Sequence, residues 1–367
     1  MSDKKVRYAV VGTGWFAQDA ILPAFPNAKN SQLAAVVSGD PKKQKELGEK
    51  YKVPAYGYEQ YGDLLESGTI DAVYIALPNS KHKEYTVRAA KEHIHVLCEK
   101  PMAATADECR DMTAACTAAD VKLMIAYRLH FESANLTAVE HIKAGKIGEP
   151  RLFSSVFTQQ VEEGNTRLDA DLASSPLMDI GIYCINAARY LFQADPVEVS
   201  AFAAKSSDPR FREVPEMVTA VLRFPNERLA QFTCGFGEAG ISEYRVVGTA
   251  GNLQMLTGYT FRGDITMKLT GKDGQTKETT FPEKDQVGAE ILYFSDCILN
   301  DREPEPNGLE GLADLTVIEA IERSYKSGRA VELSAFAEKP RPSLKQEYKL
   351  PKLDGPGKLV NAASPGG

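Results

Sequence analysis

The segment Val6–Ala17 constrains the fold more than any other. The mostly apolar run Val6–Val11 leads straight into Gly12-Thr13-Gly14-Trp15-Phe16-Ala17, and a helix-forming stretch, Phe16–Phe25, follows. A strand that enters a G-x-G-x-x-A turn and leaves as a helix suits dinucleotide binding. The first glycine permits the tight turn and the second lets the backbone approach a pyrophosphate. The third small residue lets helix pack on strand. The helix N-terminus then points free N–H groups at the phosphates. The competing reading is a glycine-rich structural turn, against which the strand–turn–helix context weighs.

Further short runs rich in apolar residues repeat the pattern: Leu33–Val37, Asp71–Leu77, His95–Cys98 and Lys122–Ala126. Their near-continuous hydrophobicity is that of strands covered on both faces. Between them lie the helix candidates Pro41–Tyr51, Tyr61–Ser67, Lys81–His93 and Thr105–Ala119, with Pro41 and Thr105 at suitable starts. An α/β protein with an N-terminal Rossmann doubly wound parallel sheet is therefore expected. After Tyr127 the texture changes. A helix is expected over Leu136–Ala144. Strands then follow at Arg151–Thr158, Val197–Ala204, Val218–Phe224, Leu229–Phe236, Tyr244–Thr249, Thr266–Thr270 and Glu278–Phe281, with Asp273-Gly274 as a hairpin turn. Helices are expected at Leu177–Phe192, Ala289–Leu299 and Leu309–Lys326. This half reads as an α+β domain with a large, mainly antiparallel open sheet. The expected division is a nucleotide-binding domain at 1–127 and a domain for substrate binding and oligomerisation at 128–338. The Pro-, Lys- and Gly-rich stretch 339–367 reads as an extended C-terminal arm or a disordered tail.

The 367 residues, 43% of them hydrophobic, are enough for two domains with a sizeable core. A net charge of -7 without a Lys/Arg block argues against non-specific nucleic-acid binding. The six cysteines form no CxxC pair and have no histidine at ligand spacing, so no metal site is expected. They read as buried free thiols in a reducing compartment. The polar start Ser2-Asp3-Lys4-Lys5 is unlike a signal peptide, and no apolar stretch approaches the roughly 18 residues of a membrane span. A cytoplasmic protein without a membrane partner is expected.

In doubly wound sheets ligands sit at the carboxyl ends of the strands. After strand two comes Ser38-Gly39-Asp40-Pro41-Lys42-Lys43, with a hydroxyl where NAD-binding chains carry an acid. Ser38 and Lys43 could bind a 2′-phosphate, which favours NADP. In the opposing reading Asp40 fills the acid role and the lysines begin a solvated helix. After strand four, His82 either touches the nicotinamide region or caps a helix. Strand five ends in Cys98-Glu99-Lys100-Pro101, which places Lys100 near the nicotinamide, with Pro101 stiffening the turn through a cis bond. A surface lysine before a turn proline is the plainer alternative. Asp179 and Tyr183 are four apart and share a helix face. With Lys100 they would make a proton-transfer set. A phenol ordinarily titrates near 10, too high for a base at neutral pH, and a neighbouring ammonium lowers that value. The alternative is an N-cap aspartate and a core tyrosine.

Taken in order, Gly12–Ala17, Leu77-Pro78-Asn79-Ser80 with His82, Glu99-Lys100-Pro101 and Asp179–Tyr183 resemble the glucose–fructose oxidoreductase / inositol dehydrogenase (Gfo/Idh/MocA) family over about residues 5–335. The glucose–fructose and aldose–aldose oxidoreductase branch is especially similar. It has Ser-Gly and then a lysine after strand two, here Ser38, Gly39 and Lys43. It has Tyr-Arg after strand six, here Tyr127 and Arg128, and a tyrosine where many members carry histidine, here Tyr183. The resemblance implies hydride exchange between C1 of an aldose and NADP. Tyr183 would be the acid/base, Lys100 would bind the C1 oxygen, and Asp179 would orient both. Tyr127 and Arg128 would line the sugar pocket. Gly12, Gly14, Trp15, Phe16, Ser38, Gly39, Lys43, Leu77, Pro78, Asn79, His82, Glu99 and Lys100 would contact the cofactor. Some relatives are sensors that bind the nucleotide without catalysis, but Lys100, Asp179 and Tyr183 argue for an enzyme. The resemblance also implies a homodimer or higher oligomer through the open sheet. No phosphate-binding loop for a sugar phosphate stands out, so a free sugar is expected, with specificity resting on pocket contacts from loops such as Gln159–Arg167 and Cys234–Ser242. Because strand one begins almost at the first residue, no counterpart of the cofactor-burying N-terminal arm of the periplasmic relative is expected. Two modes follow: one that couples oxidation of one aldose to reduction of another on tightly held NADP(H), and an ordinary NADP-dependent aldose or diol dehydrogenase that releases it.

Overall fold

The computed structural model describes residues 4–355, 357–362 and 364. Six strands, β1 (Val6–Val11), β2 (Ser31–Val37), β3 (Ala55–Tyr56), β4 (Ala72–Ile75), β5 (His95–Glu99) and β6 (Leu123–Ala126), form one parallel sheet in the order β3-β2-β1-β4-β5-β6. The order reverses between β1 and β4, the place where such sheets bind ligands. Tyr8 to Val11 are fully buried, as strands covered on both faces must be. The connecting helices are α1 (Leu22–Ala24, entered through a π-helical turn, Ala17–Ile21), α2 (Pro41–Tyr51), α3 (Tyr61–Glu66), α4 (His82–Lys91) and α5 (Ala106–Ala118). Helix α2 starts where expected because the Asp40 carboxylate accepts from the Lys42 and Lys43 amides and Pro41 has no N–H to leave unpaired. Thr105 caps α5 in the same way.

Helix α6 (Ser133–Lys143) leads into the second half. Its strands are β7 (Pro150–Gln160), β8 (Glu198–Ala204), β9 (Met217–Phe224), β10 (Arg228–Gly235), β11 (Gly237–Gly248), β12 (Gly251–Met255), β13 (Ile265–Thr270), β14 (Thr276–Phe281) and β15 (Val331–Glu332). They form a nine-stranded sheet in the order β14-β13-β12-β11-β7-β10-β9-β8-β15, antiparallel except for β7 with β10. Helices α7 (Ile182–Phe192), α8 (Gln286–Leu299) and α9 (Gly308–Ser327) complete it. In β9, Val218, Ala220, Leu222 and Phe224 are buried while Thr219, Val221 and Arg223 are exposed, the period-2 pattern of a sheet covered on one face. The open face carries Leu152, Phe202, Val221 and Leu229.

Three of these strands have no signature in the sequence. β3 and β15 have two residues each, too few to show a period. β12 (GNLQM) is held by its neighbours β11 and β13 rather than by its own β propensity. All six cysteines are buried and free. Among the described residues no helix is long and apolar enough to cross a membrane. The described residues of the C-terminal stretch run along the protein as an extended arm. Lys339 and Arg341 pair with Asp195 (2.8 and 2.9 Å), and Gln346 donates to the Glu305 carbonyl (3.0 Å). Glu347 accepts from Ser133 (2.7 Å), and the Asp285 amide donates to the Pro351 carbonyl (3.2 Å).

Candidate active site

Two cavities meet at the carboxyl ends of β1 and β4. The first, about 660 Å³, is walled by Gly12–Ala17, Ser38–Asp40, Lys43 and Ala76–Asn79. Gly12 sits at φ +95°, and a Cβ there would stand 2.4 Å from the Ala76 carbonyl oxygen. Nothing lies within 4 Å of where a Gly14 Cβ would be, so that backbone is open to a ligand. The glycine loop therefore fits a dinucleotide for the two reasons its spacing suggests: one glycine is required by the turn, the other leaves room. Ser38 is buried, and its Oγ accepts from the Thr13 hydroxyl (2.8 Å) and the Asp40 amide (3.3 Å), leaving its own proton to donate. Lys43, Leu77 and Pro78 line this cavity, as does Asn79, whose amide also donates to the Ala173 carbonyl (2.8 Å).

The second cavity, about 470 Å³, shares Trp15, Phe16, Ala76, Leu77, Arg167 and Asp179 with the first and adds Glu99, Lys100, Arg128, Phe157, Tyr183, Tyr259 and Glu290. Lys100, at the end of β5 and before a cis Pro101, is brought to the π-helical turn Leu177–Gly181 that precedes α7. Its Nζ donates to the Asp179 carbonyl (2.8 Å) and to Asp179 Oδ1 (2.9 Å). The other carboxylate oxygen accepts from Arg167 Nε (2.7 Å). Lys100 Nζ also lies 4.9 Å from the centre of the Tyr183 ring. Arg128 Nε donates to the Tyr183 hydroxyl oxygen (3.1 Å), and its Nη atoms hold the Tyr259 and Thr260 carbonyls and Gln286.

Burial penalises the charges on Lys100 and Asp179, and pairing decides the outcome. Burial works against the Lys100 ammonium, but Asp179 and Tyr183 outweigh it and hold the group above its ordinary range. Burial likewise works against the Asp179 carboxylate, but Lys100 and Arg167 hold it far below the usual range. Glu99 has no such partner. Burial pushes its carboxyl up to about 7 against the pull of Lys100, while Tyr74 donates to it (2.9 Å). Glu290 is pushed well up, by burial first and then by Glu99, and its Oε1 is buried without a partner. The site thus joins a fixed ammonium–carboxylate pair, a phenol facing two cations and two carboxyls that favour the neutral form. That is a set able to move a proton and stabilise charge on oxygen.

Two expected site residues lie elsewhere. Tyr127 does not line the cavity. It is buried, stacks on His130 at 5.6 Å, and its phenol is pushed up by burial and by Asp314 in the interior. Successive residues at a strand end diverge, and here only Arg128 turns towards the cleft. His82 is fully buried as well. Its Nδ1 and Nε2 lie 2.9 and 2.8 Å from the Pro101 and Leu77 carbonyl oxygens, so it braces the loops after β5 and β4 from behind instead of reaching a ligand. Asp40, the rival candidate for the ribose, is committed as the α2 cap. Two contributors were not foreseen: Glu290 looks like any residue of an amphipathic helix, and the C-terminal arm reaches the first cavity through Asn361, Ala362 and Ser364. Arg167 belongs to the expected pocket loop Gln159–Arg167, and Gln159, Arg167 and residues Gly240–Ser242 of the loop Cys234–Ser242 line the second cavity. Among the described residues no group of three His, Cys, Asp or Glu side chains is placed to hold a metal.

Residues 6–127 match the family model of an oxidoreductase family with an NAD-binding Rossmann fold, and residues 135–254 match the GFO/IDH/MocA C-terminal domain. D-xylose 1-dehydrogenase [NADP(+)] of Haloarcula marismortui is 33% identical over 341 residues, 90% of this chain and 94% of the relative. The crystal structure of aldose-aldose oxidoreductase from Caulobacter crescentus, complexed with glycerol, is 38% identical with a TM-score of 0.86, covering 90% of this chain and 100% of that one. A 3-ketoreductase from Actinomadura kijaniata in complex with NADP and TDP-benzene is 26% identical with a TM-score of 0.80, covering 88% and 98%.

Proposed function

Because the chain belongs to the GFO/IDH/MocA oxidoreductase family, we propose that it is an NADP-dependent aldose oxidoreductase acting at sugar C1. The observation that carries this is the convergence of Lys100, Tyr183 and Arg128 on a cavity that opens onto the glycine loop. The NADP-dependent xylose dehydrogenase and the aldose–aldose oxidoreductase among its relatives support the cofactor and the substrate class.

Bound NADP supplies the hydride acceptor; the protein supplies the proton path. An ammonium has three donors, and two of those on Lys100 are held by Asp179. The third is free for the C1 oxygen. Tyr183 accepts from Arg128, which leaves the phenolic proton and the remaining lone pair for the substrate hydroxyl. In the oxidation that hydroxyl's proton passes to the Tyr183 oxygen, which must enter the step as phenolate and leaves it as phenol, while Lys100 and Arg128 stabilise the negative charge shared by the two oxygens. Asp179 does not touch the sugar in this scheme; it positions Lys100, with Arg167 sharing its charge. Phe157 and Tyr259, 5.1 Å apart, offer an aromatic wall for the sugar ring. Glu99, Leu77 and the glycine loop face the cofactor.

In this reading residues 1–127 bind the nucleotide and residues 128–338 hold the sugar. The exposed apolar strip on the nine-stranded sheet supports association into at least a dimer. The six free thiols support a cytoplasmic location. NADP(H) held by the glycine loop, Ser38 and Lys43 would serve both the oxidation of one aldose and the reduction of another, a mode that the aldose-aldose oxidoreductase relative supports. The test is to purify the protein without nucleotide, denature it and assay released NADP(H), then supply an aldose and a second carbonyl acceptor with no nucleotide. Bound NADP(H) and turnover are expected. If no nucleotide is released and turnover needs added NADP, the protein is an ordinary dehydrogenase and the coupled mode is wrong.

A further inference from the structure

The described part of the C-terminal arm reaches the nucleotide cavity through specific polar contacts. The Val360 amide donates to Gln18 Oε1 (2.8 Å), while Gln18 Nε2 donates to the Val360 carbonyl (2.9 Å) and to the Thr13 carbonyl (2.9 Å). One buried side-chain amide thus ties the arm to the glycine loop. Val360 is 6% exposed and packs in the same apolar cluster as Ala17 and Ile21. At the next residue, Asn361 Nδ2 donates to Asp40 Oδ2 (2.8 Å). Asn361 adopts φ 44°, a left-handed conformation that asparagine tolerates better than most residues. Asp40 Oδ1 already accepts from the Lys42 and Lys43 amides. Asn361 and the α2 cap together hold the Asp40 carboxyl below its usual range.

Asp40 follows β2, and an acid in that region is the group that reads the ribose 2′-hydroxyl of NAD. With both oxygens engaged, it has little capacity left for that hydroxyl. A 2′-phosphate needs donors instead, and Ser38 and Lys43 line the same cavity. We propose that residues 358–362 and Ser364 are part of the nucleotide-binding site: a strap that must lift for the cofactor to exchange, and whose Asn361 withdraws Asp40 from the ribose and so favours NADP over NAD. The strap is attached to a body that binds nucleotide, so this inference rests on the function proposed above.

Trp15 is the only tryptophan and lines the cavity, so energy transfer from it to bound NADPH or NADH reports binding and release. Full-length protein is compared with a chain ending at Gly357 and with Asn361→Asp, which sets a like charge against Asp40 at the surface and leaves the arm's length unchanged. Thermal unfolding without nucleotide confirms that each variant folds. NADPH release is expected to accelerate about tenfold in both variants, equivalent to about 1.4 kcal/mol, with a fall of similar size in the preference for NADPH over NADH. Should truncation unfold the protein, Asn361→Asp alone decides. A full-length protein that binds NADPH, beside variants with unchanged release and unchanged preference, overturns the strap and leaves the proposed function standing. A full-length protein that binds neither nucleotide overturns the proposed function, and the strap with it.

Discussion

Glu99→Gln tests the electrostatics of the cleft directly. Burial raises the Glu99 carboxyl from 4.5 to about 7 in the folded protein. Between those values the native state holds a proton that the unfolded chain has lost. Stability is therefore full below the unfolded value and falls as pH rises through about 7. Each pH unit of that interval is worth about 1.36 kcal/mol, which sets a ceiling near 3 kcal/mol; solvent in the open cleft reduces the expected loss to about 1–2 kcal/mol. Glutamine keeps the shape and an acceptor for the Tyr74 hydroxyl, which lies 2.9 Å from the carboxyl, but cannot ionise. In urea unfolding of nucleotide-free protein, the variant and the parent are expected to match at about pH 5, and the variant to be about 1–2 kcal/mol more stable at about pH 8.5. A gap that is the same at both pH values, or a variant less stable at the higher one, refutes the assignment of a neutral Glu99.

Tyr183→Phe and Lys100→Ala are expected to lower kcat by about 10²- to 10⁴-fold with NADPH binding retained by fluorescence; unchanged turnover in both variants sinks their roles. Arg189 is fully buried with Asp195 (2.7 Å), Glu310 (3.0 Å) and Asp314. Arg189→Met leaves Asp195 its Lys339 and Arg341 partners but takes from Glu310 and Asp314 their main cation, and is expected to cost about 3–5 kcal/mol in urea unfolding; a loss below about 1 kcal/mol would contradict that. Gly12→Ala forces a Cβ against the Ala76 carbonyl at a φ of +95°, so nucleotide binding by fluorescence titration should be lost; parental affinity would show that the turn relaxes. Light scattering at micromolar concentration is expected to give at least a dimer, and a monomer would leave the open sheet face unexplained.

What the sequence determined by itself was local. The βα alternation, the start of α2 at Pro41 and the need for glycine at position 12 all follow from backbone freedom and the periods of buried strands and helices, which neighbouring residues set. The family motifs added that Lys100, Asp179 and Tyr183 belong together, although 79 residues separate the first two. Which way a side chain faces and which distant residues meet were left to the tertiary structure. Tyr127 and Arg128 are adjacent in the chain, yet packing sends one to the Asp314 interior and the other to the cleft. His82 carries a ligand-like side chain, but two backbone carbonyls from separate loops claim both of its nitrogens. The aperiodic arm at the C-terminus gained a place only because Gln18 and Asp40, more than 300 residues earlier, are presented to it by the folded sheet. Such contacts depend on long-range geometry and not on the character of the segment itself, so no local pattern in the chain could announce them.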